Sequence, residues 1–429
     1  MKDYKIMGIS LPLYLVLLAI LIVAIVMDIL PAGMIGAFAF MMIVGALLDV
    51  IGNNTPIVKT FFGGGPIVII FGSAALAYYN ILPESVVKNV NTFMKGGGFL
   101  DFYIAALITG SILGMNKKLL IKASLRYFPT IIGGVVVSLA FVALGGLLFG
   151  QAPGESIAYI GIPIMGGGMG AGAVPISQVF ANGLGIPAEQ ILSKLVPAVA
   201  LGNAMAIVAG GLLDKLGKAR PELTGNGKLM EVGDEELHEK EDQNEKLELS
   251  DYGVGIAIAC VFFVFGVIVA SLFKKVTGVD IHSYAWMIIS VAVAKALNLL
   301  PRKFEKACAT WYNFVAKNWT AALLMGIGIA YTDLGQVLAA MTPLYIFLCF
   351  LVVLGAVIGT MIVGKLMGFY PIEAALTAGL CMANMGGTGD VAVLTAAHRM
   401  ELMPFAQISS RLGGAFIILL ATLIAPMVF

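Results

Sequence analysis

Runs of about twenty apolar residues recur along this chain, and that is the length a helix needs to cross the hydrocarbon of a bilayer. They stand at 9–30, 34–50, 128–149, 254–272, 344–363 and 405–424. Backbone polar groups find no water in lipid, so a spanning segment satisfies them internally, as a helix or in a closed barrel. The short alternating strands of a barrel are missing from the sequence. Only 12% of the residues are charged, against about a quarter in soluble domains, and the mean hydropathy is +0.97. The expected fold class is therefore an all-α polytopic membrane protein.

Composition excludes several alternatives. Residues 9–30 outrun a secretory h-region and lack a small-residue cleavage pattern, so residues 1–30 read as a retained first transmembrane helix. Cys260, Cys308, Cys349 and Cys381 lie in or beside apolar runs without CxxC spacing, which indicates packing rather than disulfides or zinc. The net charge of +1 comes with no basic, aromatic-interleaved patch, so nucleic acid is not an expected partner. HExxH and GxSxG are absent and there are three histidines, which argues against a membrane-embedded enzyme.

Charge gathers in one place. Residues 214–252, with "GDEELHEKEDQNEKLELSD", are too polar for lipid and read as a cytoplasmic linker that includes His238. It separates two membrane repeats, 31–213 and 253–429. Lys2, Lys5, Lys59, Lys117, Lys118, Lys122, Arg126, Lys215, Lys218, Arg220, Arg302, Lys303 and Lys306 all fall inside, as the positive-inside rule asks, on one condition. Segments 156–187 and 371–403 must each enter and leave on one side, the first from outside and the second from the cytoplasm. About 11 transmembrane helices then accompany two re-entrant GGxG hairpins in inverted repeats. Lys88, Lys95, Lys274 and Lys275 fall outside in this scheme, against the rule.

The two hairpin segments resemble each other: "IMGGGMGAGAVPISQVFANGLGIPAEQILSK" (Ile164–Lys194) and "ANMGGTGDVAVLTAAHRMELMPFAQISSR" (Ala383–Arg411). Each has GGxG, at Gly167–Gly170 and Gly386–Gly389, then small and aliphatic residues, a proline, Gln-Ile, and a Ser-basic pair, Ser193-Lys194 or Ser410-Arg411. A single GGxG is ordinary helix-packing material; the paired motif is what inverted-repeat transporters display. A helix stopped at mid-membrane leaves backbone groups that cost several kcal/mol each unless something polar occupies the gap. Helix N-termini and glycine backbone suit an anion. Unwound carbonyls, with the oxygens of Asn384, Thr388 and Ser410, suit a hard cation such as sodium.

Arg411, six residues into the last apolar run, has the planar fork that grips a carboxylate. The alternative is that it snorkels to the nearby surface. Ser410 and the tip residues Gly168, Met169, Gly170, Met385, Gly386 and Gly387 complete the expected substrate site. Asp390 is either a cation or proton group or the cap of the adjoining helix. His398 and Arg399 read as surface residues, and Glu373, Asp28, Asp49, Asp101 and Asp333 as interfacial ones. Residues 302–319 read as an amphipathic helix on the inner face, and Trp286, Trp311 and Trp319 suit the membrane interface.

At these motifs, and at "SSRLGG" (Ser409–Gly414), the whole chain resembles the 2-hydroxycarboxylate transporter family, bacterial carriers of citrate, malate and lactate. The resemblance implies a homodimer in the cytoplasmic membrane, each subunit with a dimerisation domain and a mobile substrate domain moving as an elevator. It implies that Arg411 holds the 2-hydroxycarboxylate, with sodium as coupling ion near Cys381, Met382, Asn384, Thr388, Ser410, Ile164 and Gly166. Citrate carriers of the family have Asn and a second Arg where this chain has Met169 and Met385, which favours malate over citrate. The expected function is sodium symport of malate; proton-coupled symport, or exchange of malate or citrate against lactate, uses the same anion site.

Overall fold

The computed structural model describes residues 5–56, 58, 64–114, 117–230, 247–277 and 282–428. His238, Lys2 and Lys59 lie outside them. After a two-residue antiparallel pairing of Lys5–Ile6 with Ile9–Ser10, the chain is helical. The helices are α1 (Leu11–Val26), α2 (Met34–Asn54), α3 (Gly65–Tyr78), α4 (Glu84–Met94), α5 (Phe99–Leu113) and α6 (Lys117–Leu148). Two limbs follow: α7, residues 153–164, and α8, residues 169–184, and then α9 (Ala188–Ala219). The second half has α10 (Leu249–Thr277), α11 (Ser283–Ala296), α12 (Arg302–Asn318), α13 (Thr320–Tyr331), α14 (Leu334–Ala340) and α15 (Pro343–Leu366). It ends with limbs α16, residues 371–380, and α17 (Gly387–Ala396), and with α18, residues 403–428.

Six of these helices are long and apolar enough to cross a membrane, and two bent pairs, α4 with α5 and α12 with α13, pass the same test together. Mean hydropathy did not locate every boundary. Residues 128–149 belong to a helix that starts at Lys117 and carries Pro129 inside it. The run 405–424 is not one regular helix either: a π-helical turn, Ser409–Gly413, interrupts it.

Helix packing sorts the elements into two bodies that both draw on both halves of the sequence. In one, the scaffold body, α2, α3, α4 and α13 pack together, and α5 packs on α10, α11 and α12. In the other, the hairpin body, α6 lies along α15, α9 packs on α8, α15 and α17, and α8 on α18. The α6–α15 seam is close because glycine removes side chains from it. A Cβ on Gly133 would lie 2.4 Å from Val363, and one on Gly145 would lie 2.3 Å from Leu351. These contacts make α6 and α15 antiparallel. Arg126 and Leu366 therefore share one end of the body, end A, and Phe149 and Pro343 share the other, end B.

Both pairs of limbs can be placed against that axis. Limb α7 starts at end B, where Ser156 abuts Gly146, and stops halfway, where the Ser138 hydroxyl meets Met165. Limb α8 goes back to end B with the start of α9, since α9 reaches end A only at Gly217, beside Ile372. Limb α16 starts at end A, where Ala374 meets Gly364, and stops halfway, with Gly379 against Thr360. Limb α17 returns to end A alongside Gly210 of α9.

Two other expectations change. The charged α12 packs lengthwise on α5 and α10, so its apolar face is covered by protein instead of lying on a membrane surface. Trp311 and Trp319 sit in an aromatic cluster with Phe38, Phe99, Phe102 and Phe314, so their rings pack on protein. Amphipathicity and aromatic content are equally satisfied by a lipid surface and by a neighbouring helix, and tertiary contact chose the latter.

Candidate functional site

The two limb pairs meet at their tips. Gly167 and Gly168 have φ of +76° and +117°, and Gly386 has φ of +77°, left-handed or extended-positive values that cost residues with a Cβ. The contact is backbone to backbone. A Cβ on Gly168 would lie 2.8 Å from the Met385 carbonyl, and one on Gly167 would lie 2.7 Å from the carbonyl oxygen of Ser410. Three segments, 166–168, 385–386 and 410–414, are thus interlocked near the middle of the hairpin body. Four π-helical turns, Ile157–Gly161, Met169–Ala173, Ala375–Leu380 and Ser409–Gly413, lie in the elements that form it. Such turns recur at functional sites because the extra residue redirects side chains and frees backbone groups.

Ser410 stands between the tips. Its hydroxyl lies 3.0 Å from the Cys381 carbonyl and 2.9 Å from each oxygen of Asp390. One hydroxyl donates one proton, so these oxygens converge on it as acceptors in excess of donors. Asn384 supplies a further donor to Asp390 from its amide nitrogen, at 2.9 Å, while its amide oxygen accepts the Gly386 N–H at 2.7 Å. Asp390 and Asn384 are fully buried. Asp390 therefore faces Ser410 and Asn384 and does not cap its own helix, whose N-cap position, Gly386, makes no side-chain cap hydrogen bond. Burying a lone carboxylate is costly, and here hydroxyl and amide donors are its partners. Among the described residues no group of three or more His, Cys, Asp or Glu gathers as a metal site. A low-charge oxygen cluster of this sort suits a monovalent hard cation better than a divalent one.

Next to this cluster is a cavity of about 130 Å³. Gly167, Gly386, Asp390, Ser410, Arg411 and Gly414 line it from the hairpin body, and α5, α11 and α12 close it from the scaffold. The Arg411 guanidinium turns into this space, 5.6 Å from the centre of the Tyr312 ring, rather than away toward a surface. It has no ion-pair partner among the described residues. Gly168, Met169, Gly170 and Met385 do not line the cavity; Met169 is buried, and the Met385 N–H is bound to Asn203 at 3.0 Å. Met382 and Ile164 are fully buried. Ile164 packs at Gly202 of α9, and the Gly166 carbonyl is enclosed by Gly172 and Gly414. The side chain of Thr388 and the surroundings of Gly387 lie outside what the structure describes.

Some participants carry no sequence signal. Asn203, in the middle of α9, binds the second tip through its oxygen, and its buried amide nitrogen has no partner among the described residues. Tyr127 donates to the Phe405 carbonyl at 3.1 Å and bonds the Ser409 hydroxyl at 2.7 Å, steadying the π-helical turn that presents Arg411. At the base of the second limb pair, Arg399 and Glu373 are buried, not superficial. Arg399 reaches Asp214 at 3.3 Å and Asn226 at 3.2 Å, and Glu373 accepts from Thr224 at 2.7 Å and from the Gly225 N–H at 2.9 Å. The stretch just after α9 is thereby bound to end A. His398, beside them, is exposed.

Comparison with known proteins gives the family. The model of the family described as "2HCT: 2-hydroxycarboxylate transporter family" matches residues 6–423. The Na(+)-malate symporter of Bacillus subtilis is 39% identical over 98% of this chain and 93% of its own length. The malate transporter MleP of Lactococcus lactis is 38% identical over 98% of this chain and 97% of its own length. The citrate/sodium symporter of Salmonella typhimurium is 36% identical over 99% of this chain and 95% of its own length. A polytopic helical chain with a cavity at its interlocked tips, and relatives that are transporters rather than enzymes along its whole length, belongs to the 2-hydroxycarboxylate transporter family.

Proposed function

We propose that this protein imports a small 2-hydroxycarboxylate, malate foremost, by sodium symport across the cytoplasmic membrane, as a homodimer whose hairpin bodies move as elevators. The observation that carries this is the pairing of an arginine that has no ion-pair partner among the described residues with an oxygen cluster at one point: Arg411 in the cavity, and Ser410 shared between it and Asp390. Arg411 and the exposed backbone at the Gly167 and Gly386 tips bind carboxylate. Ser410, Asp390 and the carbonyl of Cys381 bind sodium, with Asn384 fixing the tip and the backbones of Ile164 and Gly166 in reach of the interlock. Occupancy by the cation offsets the negative charge of Asp390, which otherwise repels the arriving anion. That is the electrostatic basis for coupling.

The limb pairs are re-entrant hairpins in this reading, the first from outside and the second from the cytoplasm. Six long helices, two bent pairs and three shorter apolar helices among the described residues support about eleven crossings. Arg126, Arg220 and Arg302 gather at end A, which supports a cytoplasmic end A. Malate is favoured over citrate because Arg411 is, among the described residues, the one cationic side chain lining the cavity, and Met385 brings no second cation for a third carboxylate. The division into two bodies, with the cavity between them, supports movement of one against the other.

Uptake of labelled L-malate into proteoliposomes tests this. Accumulation driven by an imposed sodium gradient, unaffected by a proton gradient and lost in Arg411→Ala, is the expected result. Because Asp390 is a carboxylate able to carry a proton, a proton-driven uptake is the second outcome and would replace sodium by H⁺ at the same cluster. Uptake that requires lactate loaded inside would make the protein an exchanger.

A further inference from the structure

The scaffold face of the cavity is apolar, with Leu107, Ile108, Ile112 and Ile288. It has two polar side chains, Ser111 and Tyr312. The Ser111 hydroxyl is spent on the carbonyl of Ile108 at 3.2 Å. Tyr312 projects from α12, and the sequence brings it in by removing the side chain opposite: a Cβ on Gly110 of α5 would lie 2.2 Å from the Tyr312 Cβ and 2.5 Å from the Cys308 carbonyl. Gly110 thus lets α12 approach until the ring reaches Arg411, whose guanidinium carbon stands 5.6 Å from the ring centre.

A partly buried guanidinium facing an apolar wall has lost part of its water on that side, which is costly. A ring face offsets part of that cost through its quadrupole and uses none of the guanidinium N–H donors. The fork stays available for the anion. The contact stands level with Gly110, three residues before the end of α5, from which the chain passes to the start of α6 at end A; the middle of the hairpin body is therefore at the end-A side of the scaffold. We infer that Tyr312 is a positioning residue, contributed by the scaffold, that holds Arg411 in carboxylate-binding geometry only while the hairpin body has this position. This rests on the transport reading above and goes beyond it, because it makes the two faces of the carrier unequal: Arg411 is steadied on the face open to end A and loses the ring when its body moves toward end B.

The experiment compares the two faces. Half-saturating L-malate is measured for entry from the inner face in inside-out vesicles and from the outer face in right-side-out vesicles, at saturating sodium. Tyr312→Leu, which deletes the ring, is expected to raise the inner-face value roughly 3- to 30-fold, the range a cation–π contact spans between exposed and desolvated sites, with a rise on the outer face at least threefold smaller. Tyr312→Phe, which keeps the ring and loses the hydroxyl, is expected to stay within about twofold of the parent protein on the inner face. If Tyr312→Leu does not reach the membrane, Tyr312→Met makes the same ring-less comparison. Equal shifts on both faces, no shift on either, or Phe behaving as Leu overturns the inference while leaving the transport reading standing. Absence of saturable malate uptake by the parent protein overturns both.

Discussion

The two hairpins carry one motif and do two jobs. In the second, the Ser-basic pair Ser410-Arg411 sits in a π-helical turn, with the serine on Asp390 and the arginine in the cavity. In the first, Ser193-Lys194 lies in α9, an uninterrupted helix near end B. There the Ser193 hydroxyl donates to the Glu189 carbonyl at 2.7 Å and accepts the Asp333 N–H at 2.6 Å, while Lys194 stands 4.7 Å from the centre of the Tyr159 ring. The first tip is glycine backbone; the second adds Asn384 and Asp390. Repetition along the chain therefore produces a near-symmetric frame in which a single half holds the charged chemistry. A π-helical turn adds a residue to the helix and so changes which side chains reach the tips.

Substitutions at matched positions break or sharpen this contrast. The largest effect is expected at the basic pair. Arg411→Ala removes a charge-assisted grip of about 1.5–3 kcal/mol, so malate affinity falls by at least tenfold in uptake assays. Lys194→Ala, losing an outlying cation–π contact of about 0.5–1 kcal/mol, changes it by less than about fivefold. Comparable losses from both would end the asymmetry.

Asp390→Asn comes next. It removes the single carboxylate of the oxygen cluster, and the half-saturating sodium concentration is expected to rise by about tenfold or more, the worth of a buried hydrogen-bonded charge. Malate affinity at saturating sodium moves less. Equal movement of both would locate Asp390 in the anion site instead.

The glycines of the first hairpin offer a third contrast. Gly168→Ala meets the Met385 carbonyl at 2.8 Å with φ at +117°, and loss of about 1–3 kcal/mol from strain should depress transport and thermal stability together. Gly185→Ala, at φ +66° with nothing within 4 Å, is expected to cost about 1 kcal/mol and to leave uptake kinetics near normal. Among the residues that build the site, the smallest effect is expected for Tyr127→Phe. Releasing the Ser409 turn costs about 1 kcal/mol, seen as a rise in half-saturating malate of about fivefold.

Much of this was legible in residues alone. Apolar run length specified helices and the matched GGxG segments located both tips, because each of these is a local pattern read by a general solvent. Arg411 stood out because a guanidinium in an apolar run is expensive wherever it is placed. Other participants were hidden. Asn203, Tyr127 and Tyr312 lie in ordinary helical runs, and nothing near them in the chain distinguishes a site-forming side chain from a packing one. Glu373 and Arg399 looked superficial because they flank the second hairpin, yet each is buried by partners from residues 214–227.

The sequence by itself determined that this chain enters a bilayer as helices, where those helices break, and which family it belongs to, since hydrophobic length and glycine spacing act locally. Tertiary structure alone decided which half of the repeat holds charge, that Asp390 faces Ser410 instead of capping its helix, and that an aromatic ring from the opposite body stands over Arg411. Those outcomes depend on contacts between residues separated by up to hundreds of positions, at distances of a few ångströms that packing, and no local preference, sets.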